Sequence, residues 1–212
     1  MTPRFLFVHG WAMDGTLWDG VRAELGTPAD SVRELGYFGA SAAASPATGA
    51  PVIGVGHSLG LLRLLGEPPT GLVGLAAING FTRFTLSADH PAGVPARLLH
   101  RMLRRLEQDA DATATAFRTR CGLAGPLPAP AVPAALRHGL ELLRDGDGRD
   151  ALRHLGVPVL ALSGDRDEVV PPALSAACFG AVRWVEEAGH LLPLTHAGRC
   201  AQALREFAYR LA

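Results

Sequence analysis

The chain has 212 residues, 48% of them hydrophobic and 19% charged, and its formal net charge is zero. Length and composition suit one globular unit with a core of its own, and the charge balance excludes the footprint of a nucleic-acid or anionic-membrane binder. The three cysteines, Cys121, Cys178 and Cys200, are odd in number and widely spaced, so neither a disulfide framework nor a zinc pattern is expected. No lysine occurs, and all 20 basic side chains other than histidine are arginine, a bias that genomic base composition explains. The first ten residues enter a strand-like run without a signal-peptide pattern, and no apolar stretch reaches the length of a membrane span. A cytoplasmic protein is expected.

In chain order, residues 4–8 (Arg-Phe-Leu-Phe-Val) are a short apolar run ending at His9-Gly10, as in a strand buried on both faces of a parallel sheet. A helix is expected over 17–25 and a weaker strand over 31–35. Residues 39–51, mostly Ala, Ser, Gly and Pro, read equally as a degenerate crossover helix or a loop. Residues 52–55 are the next strand, leading into Gly56-His57-Ser58-Leu59-Gly60, and 59–65 read as a short helix stopped by Pro68-Pro69. Another buried strand is expected over 72–78. From 81 to about 155, arginine-rich helical stretches alternate with Pro and Gly breaks, forming an insertion between sheet strands. The strand pattern returns at 157–162, followed by Gly164-Asp165-Arg166-Asp167 and by Pro171-Pro172, which opens a helix. Residues 181–185 are the last strand candidate, ahead of Ala188-Gly189-His190 and a terminal helix over 195–211. Strands alternating with helices predict a parallel α/β sheet.

The strongest chemical signal is Gly56-His57-Ser58-Leu59-Gly60, a G-x-S-x-G pattern between an apolar strand and a helix. Such a turn holds its serine in a strained conformation that projects the hydroxyl above the sheet edge. Glycines two residues before and after remove side chains that would collide with strand and helix. The helix behind the serine aims its amides and dipole at developing negative charge. Ser58 is the expected nucleophile, and a serine hydroxyl at neutral pH needs a base. Of the eight histidines, His190 is the best placed, in a loop after the last strand. His196 is its nearest rival, at the expected start of the final helix. Asp165 and Asp167 both follow the strand at 157–162. Asp165 reads as a turn residue, and Asp167, further into the loop, as the group that orients His190. The oxyanion donors are expected to be the backbone amides of Leu59 and of Trp11, in the loop after the first strand. His9 reads as a structural residue of that loop.

Together His9-Gly10-Trp11, the Ser58 elbow, Gly164-Asp165-Arg166-Asp167 and Ala188-Gly189-His190 resemble the α/β-hydrolase superfamily over nearly the whole chain. The resemblance implies an α/β-hydrolase fold, a short, mostly parallel sheet flanked by helices. Residues 1–80 and 156–212 would form the core, and 81–155 a helical lid. Within the superfamily, Val8-His9-Gly10-Trp11 with Trp18, the apolar run over 52–60, Asp167-Glu168-Val169-Val170-Pro171 and Ile78-Asn79-Gly80-Phe81-Thr82-Arg83-Phe84 are most similar to carboxylesterases that cleave pimeloyl-carrier-protein methyl ester in biotin synthesis. The stretch between oxyanion loop and elbow is short for the superfamily, as is the segment ending at Gly66-Glu67-Pro68-Pro69.

These readings imply a serine carboxylesterase acting on a small acyl ester, with neither metal nor organic cofactor. A thioesterase, another small-acyl hydrolase and a non-catalytic binding protein of the same fold remain alternatives. In the insertion, Arg97, Arg101, Arg104 and Arg105 recur at helical spacing. They suit either a solvated helix face or a docking face for an acidic acyl carrier protein. Leu98, Leu99, Met102, Leu103 and Leu106 would face inward. Arg118 and Arg120 follow further along.

Overall fold

The structure is a computed structural model, described over residues 3–26, 31–42 and 49–211. Its strands are β1 (Arg4–Val8), β2 (Ser31–Arg33), β3 (Val52–His57), β4 (Leu72–Ile78), β5 (Val159–Gly164) and β6 (Arg183–Val185). They form one 6-stranded sheet in the order β2-β1-β3-β4-β5-β6, and every neighbouring pair is parallel. The period-two alternation of a strand sorts β1 cleanly. Phe5 and Phe7 join Ile53, Val55, Ala76 and Ile78 on one face, and Leu6 and Val8 join Leu75, Ala77 and Ala161 on the other. The first face is covered by α1 (Asp19–Leu25) and α9 (Ala197–Tyr209), through Val21, Cys200, Leu204 and Phe207. The second is covered by α2 (Leu59–Gly66), through Leu61, Leu64 and Leu65. Both faces being buried explains why the strands read as apolar runs.

Strand order places the site. The chain leaves β1 first to β2 on one side and then to β3 on the other, which opens a crevice above the carboxyl ends of β1 and β3. The loop after β1 carries His9-Gly10-Trp11, and the turn after β3 carries Ser58.

Four helices lie between β4 and β5: α3 (Arg97–Gln108), α4 (Ala110–Arg120), α5 (Pro133–Asp145) and α6 (Arg149–His154). Asp109 starts α4 by accepting the Ala112 N–H at 2.8 Å, and Pro133 opens α5. Leu99, Leu103, Leu106, Leu136, Leu140 and Leu143 from these helices share a core with Trp11, Leu59, Leu62, Phe81 and Phe84. The segment therefore packs directly on α2 and on the loop after β1.

Several boundaries differ from those expected. The helix expected over 17–25 begins as a 3-10 turn (Gly15–Trp18), which the Asp14 carboxylate caps at the Thr16 N–H, before α1. The terminal helix is split into α8 (Leu192–Thr195) and α9, because His196 sits between them in a non-helical conformation. β5 starts after Pro158, whose ring nitrogen has no hydrogen to give a ladder. The helix-or-loop question over 39–51 falls on residues 43–48, which lie outside the described residues. Over residues 34–42 the only β pairing among the described residues is an antiparallel bridge of Glu34 with Ala42. Among the described residues no helix is long and apolar enough to cross a membrane.

Candidate active site

The elbow follows from what its glycines touch. A Cβ on Gly56 would lie 2.6 Å from the Leu61 backbone, and one on Gly60 would collide with the Val8 carbonyl oxygen. Helix α2 can therefore turn back over the sheet only without those side chains. Ser58 between them has φ 53° and ψ −124°, a conformation that costs a non-glycine residue on the order of 1–3 kcal/mol. Its residue is 5% exposed. The hydroxyl opens on a cavity of about 290 Å³ lined chiefly by Trp11, Phe84, Leu98, Met102, Phe117 and Val169. Leu59 is the first residue of α2, so its amide has no partner inside the helix. Trp11 lines the same cavity.

His190 and Asp167 are 4% and 3% exposed and are hydrogen-bonded, His190 Nδ1 to Asp167 Oδ2, at 2.8 Å. The carboxylate is fully cradled. Its Oδ1 accepts the amides of Val169 and Val170, each at 2.8 Å, and its Oδ2 also accepts Asn79 Nδ2 at 2.5 Å. Burial alone would push the Asp167 pKa up, but the His190 charge and these hydrogen bonds hold it below the usual carboxylate value. The group is thus an anion at neutral pH, and its bond to Nδ1 fixes the imidazole and leaves Nε2 free of that bond. Asp165, the rival acid, is exposed, and its neighbour Arg166 pairs with Glu187 instead. His196 contacts Thr195 on the surface. No hydrogen bond joins Ser58 Oγ to His190 among the described residues.

Two residues support this arrangement that the motif reading left without a role. Asn79, at the carboxyl end of β4 with φ 47°, is buried and bridges Asp167 to the Gly189 carbonyl at 3.3 Å. His57 donates from Nε2 to the His190 carbonyl at 2.8 Å, and its ring lies 4.7 Å from that of His190. Burial, with the His190 charge, drives the His57 pKa down to about 3, so it stays neutral and holds the His190 backbone beside the elbow. The sign for stability is clear. A histidine depressed in the folded state favours the fold above its unfolded pKa of about 6.5, and that stability is lost as pH falls toward 3. Between pH 6.5 and 4 the loss from this one group should reach about 1.4 kcal/mol per pH unit. Thermal unfolding of His57→Gln, which keeps a donor and loses the titration, should show a visibly flatter fall from pH 7.5 to pH 5 than the parent. Equal slopes would remove His57 as the source.

His9 is buried in the loop below. It bonds the Gly10 carbonyl through Nδ1 at 3.0 Å and meets Glu34 and the Leu35 amide through Nε2, each at 3.1 Å. Its contact holds Glu34 below the usual carboxylate range. The four docking candidates, Arg97, Arg101, Arg104 and Arg105, are exposed on α3, and none forms an ion pair among the described residues. Leu99, Leu103 and Leu106 are buried behind them, while Leu98 and Met102 line the cavity. Arg118, by contrast, is buried. Among the described residues no group of three or more His, Cys, Asp or Glu side chains is arranged to hold a metal ion.

The sheet, the serine elbow and the capping helices define an α/β-hydrolase, and comparison with known proteins specifies the class as carboxylic-ester hydrolases. The fold is shared with an esterase from Exiguobacterium antarcticum (TM-score 0.78, 19% identity, 98% of this chain and 92% of that one). It is also shared with a thermophilic esterase from Thermogutta terrifontis (TM-score 0.73, 21% identity, 99% and 90%). In sequence, the chain is 30% identical to pimeloyl-(acyl-carrier protein) methyl ester esterase of Methylococcus capsulatus over 97% of its own length and 94% of that protein. It is also 30% identical to the esterase of the same name from Stenotrophomonas maltophilia, over 97% and 92%. No protein-family model matches. The chain belongs to this family of esterases.

Proposed function

We propose that Ser58, His190 and Asp167 act as nucleophile, base and orienting acid in the hydrolysis of pimeloyl-carrier-protein methyl ester. The observation that carries the chemistry is the His190–Asp167 bond at 2.8 Å inside a cradle of three further donors. It fixes the imidazole tautomer that a serine needs. Ser58 Oγ attacks the ester carbonyl carbon while His190 Nε2 takes its proton. The oxyanion rests on the amides of Leu59 and Trp11. The C–O bond to the alcohol then breaks, and His190 returns the proton to the leaving methoxide, giving methanol. A water deprotonated by His190 attacks the acyl-serine, and the free acid leaves as Ser58 regains its proton. Residues 81–155 act as the lid, and the apolar cavity takes the acyl chain.

The substrate reading draws on the relatives' names and on α3. Beside the cavity of Ser58 lies a second groove of about 380 Å³, lined in part by Arg101, Arg105 and Arg120, and the two share Leu98, Met102 and Phe117 as walls. Of the nearby acids, Glu107 is paired with Arg137 and Asp111 accepts the Ala131 amide, while Asp109 caps α4 from the wall of the groove. Arg101 and Arg105, which form no ion pair among the described residues, are thus left for an acidic carrier, a partner that would place the enzyme in the cytoplasm. Free-acid release from the carrier-bound methyl ester should fall at least about tenfold in the double variant Arg101→Glu, Arg105→Glu, while a short nitrophenyl ester is cleaved as before. Equal losses on both would mean a damaged lid, and no loss on the carrier substrate would remove the docking role.

A further inference from the structure

Arg118 is 8% exposed, and nothing in the hydrolytic scheme above uses it. It stands in the last turn of α4, and its guanidinium reaches out of the capping helices into the turn after β1. There Nη1 donates to the Ala12 carbonyl at 3.0 Å and lies 3.5 Å from the Asp14 carboxylate, and the group sits 5.4 Å above the centre of the Phe38 ring. A buried cation is costly unless it is paired and hydrogen-bonded, and here both polar contacts, to Ala12 and Asp14, land on one short turn. That turn is strained, because Ala12 has φ 53°, in the left-handed region that favours glycine.

Peptide planarity carries the consequence to the oxyanion site. The Ala12 carbonyl and the Met13 N–H belong to one rigid peptide unit. Arg118 holds its oxygen, and its N–H donates to the Gly10 carbonyl at 3.3 Å. The Gly10 carbonyl and the Trp11 N–H belong to the next such unit but one, and in a trans peptide they point in opposite directions. Fixing Gly10 O, which His9 Nδ1 also bonds at 3.0 Å, therefore fixes the direction of the Trp11 N–H. The Trp11 side chain is tied to the same helices, by its indole N–H to the Leu136 carbonyl at 2.8 Å and by edge contact with Phe117.

We propose that Arg118 is a positioning residue for the oxyanion site: through Ala12, Met13 and Gly10 it aims the Trp11 amide, so that the seating of α4 sets the geometry of the donor. The inference rests on the reading of the Trp11 amide as an oxyanion donor. Losing an oxyanion donor outright costs roughly 100- to 1000-fold in kcat, so misaiming one should cost about 10- to 100-fold. The test is steady-state hydrolysis of a short nitrophenyl ester together with inhibition by a boronic acid, which forms a tetrahedral adduct on a serine hydroxyl. Arg118→Met keeps the aliphatic stem and loses the guanidinium whose Nη1 reaches Ala12 and Asp14. It should lose kcat by about that factor with KM within about twofold, and should lose boronate affinity in parallel. Arg118→Lys keeps a charge and a donor but not the planar guanidinium that lies over the Phe38 ring, so its loss should be smaller, about threefold to fivefold in kcat. Should Arg118→Met not fold, Arg118→Lys alone decides on the same two readouts. Unchanged kcat and boronate affinity, or a loss confined to KM, would overturn the proposal and leave the oxyanion reading standing. A parent enzyme insensitive to the boronate would overturn both.

Discussion

Replacing Ser58 by alanine should lower kcat for ester hydrolysis by roughly 10⁴- to 10⁶-fold while the protein folds as before. The size follows from the site. With the hydroxyl gone, His190 has no nucleophile to activate, and the route through an acyl-serine is closed. What remains is whatever the oxyanion donors do for a water, the small residue of catalysis that serine hydrolases keep when the nucleophile is removed. Folding should survive because Oγ is not part of the core, and alanine accepts the backbone conformation at Ser58 no worse than serine does. Circular dichroism and the unfolding midpoint give the control. A variant within tenfold of the parent would mean that another group attacks the ester.

Asp167→Asn should cost nearly as much, roughly 10⁴-fold in kcat, at almost unchanged shape. Aspartate here offers two oxygens, and both are occupied: Oδ1 by the Val169 and Val170 amides, Oδ2 by His190 and Asn79. Asparagine has one acceptor oxygen. If that oxygen stays with the two backbone amides, its NH₂ group faces His190 Nδ1 and also confronts the Asn79 amide. Nδ1 must then accept, the ring proton moves to Nε2, and the nitrogen that should deprotonate Ser58 already carries a hydrogen. The converse orientation leaves two buried backbone N–H groups without a partner, at about 1–3 kcal/mol each. Steady-state kinetics with the unfolding midpoint separates the two outcomes. The first gives a stable, inactive protein, and the second an unstable one. A stable protein with kcat within tenfold of the parent would show that Asp167 does not set the tautomer.

What could be read from the sequence was what local chemistry dictates. The elbow is legible because Gly56 and Gly60 answer to contacts a few residues away or on the neighbouring strand, and the preference for Asp167 over Asp165 as partner of His190 matches the bond between those two side chains. The strands were legible as apolar runs because both sheet faces are covered. The supporting contacts were not. Asn79 reaches Asp167 across 88 positions, His57 reaches the His190 carbonyl across 133, and Arg118 reaches Ala12 across 106. Nothing in the spacing of those residues announces such partners. Arg118 and Arg120 look alike in sequence, two positions apart in a helix of alternating Ala and Thr. One is buried against the turn after β1 and the other lines the cavity beside Ser58. The shape of the cavity beside Ser58 was equally hidden, since its walls come from the loop after β1, from residues 84–102 and from α4, α5 and the Asp167 loop.

The central claim, that Ser58 is the nucleophile of an esterase, is tested most directly by labelling the parent enzyme with a fluorophosphonate and mapping the adduct by peptide mass spectrometry. One phosphonyl group per chain on the peptide bearing Ser58, with activity lost in step, is the result expected. Full esterase activity in protein that carries no adduct, or an adduct on another residue that accounts for the loss, would contradict it.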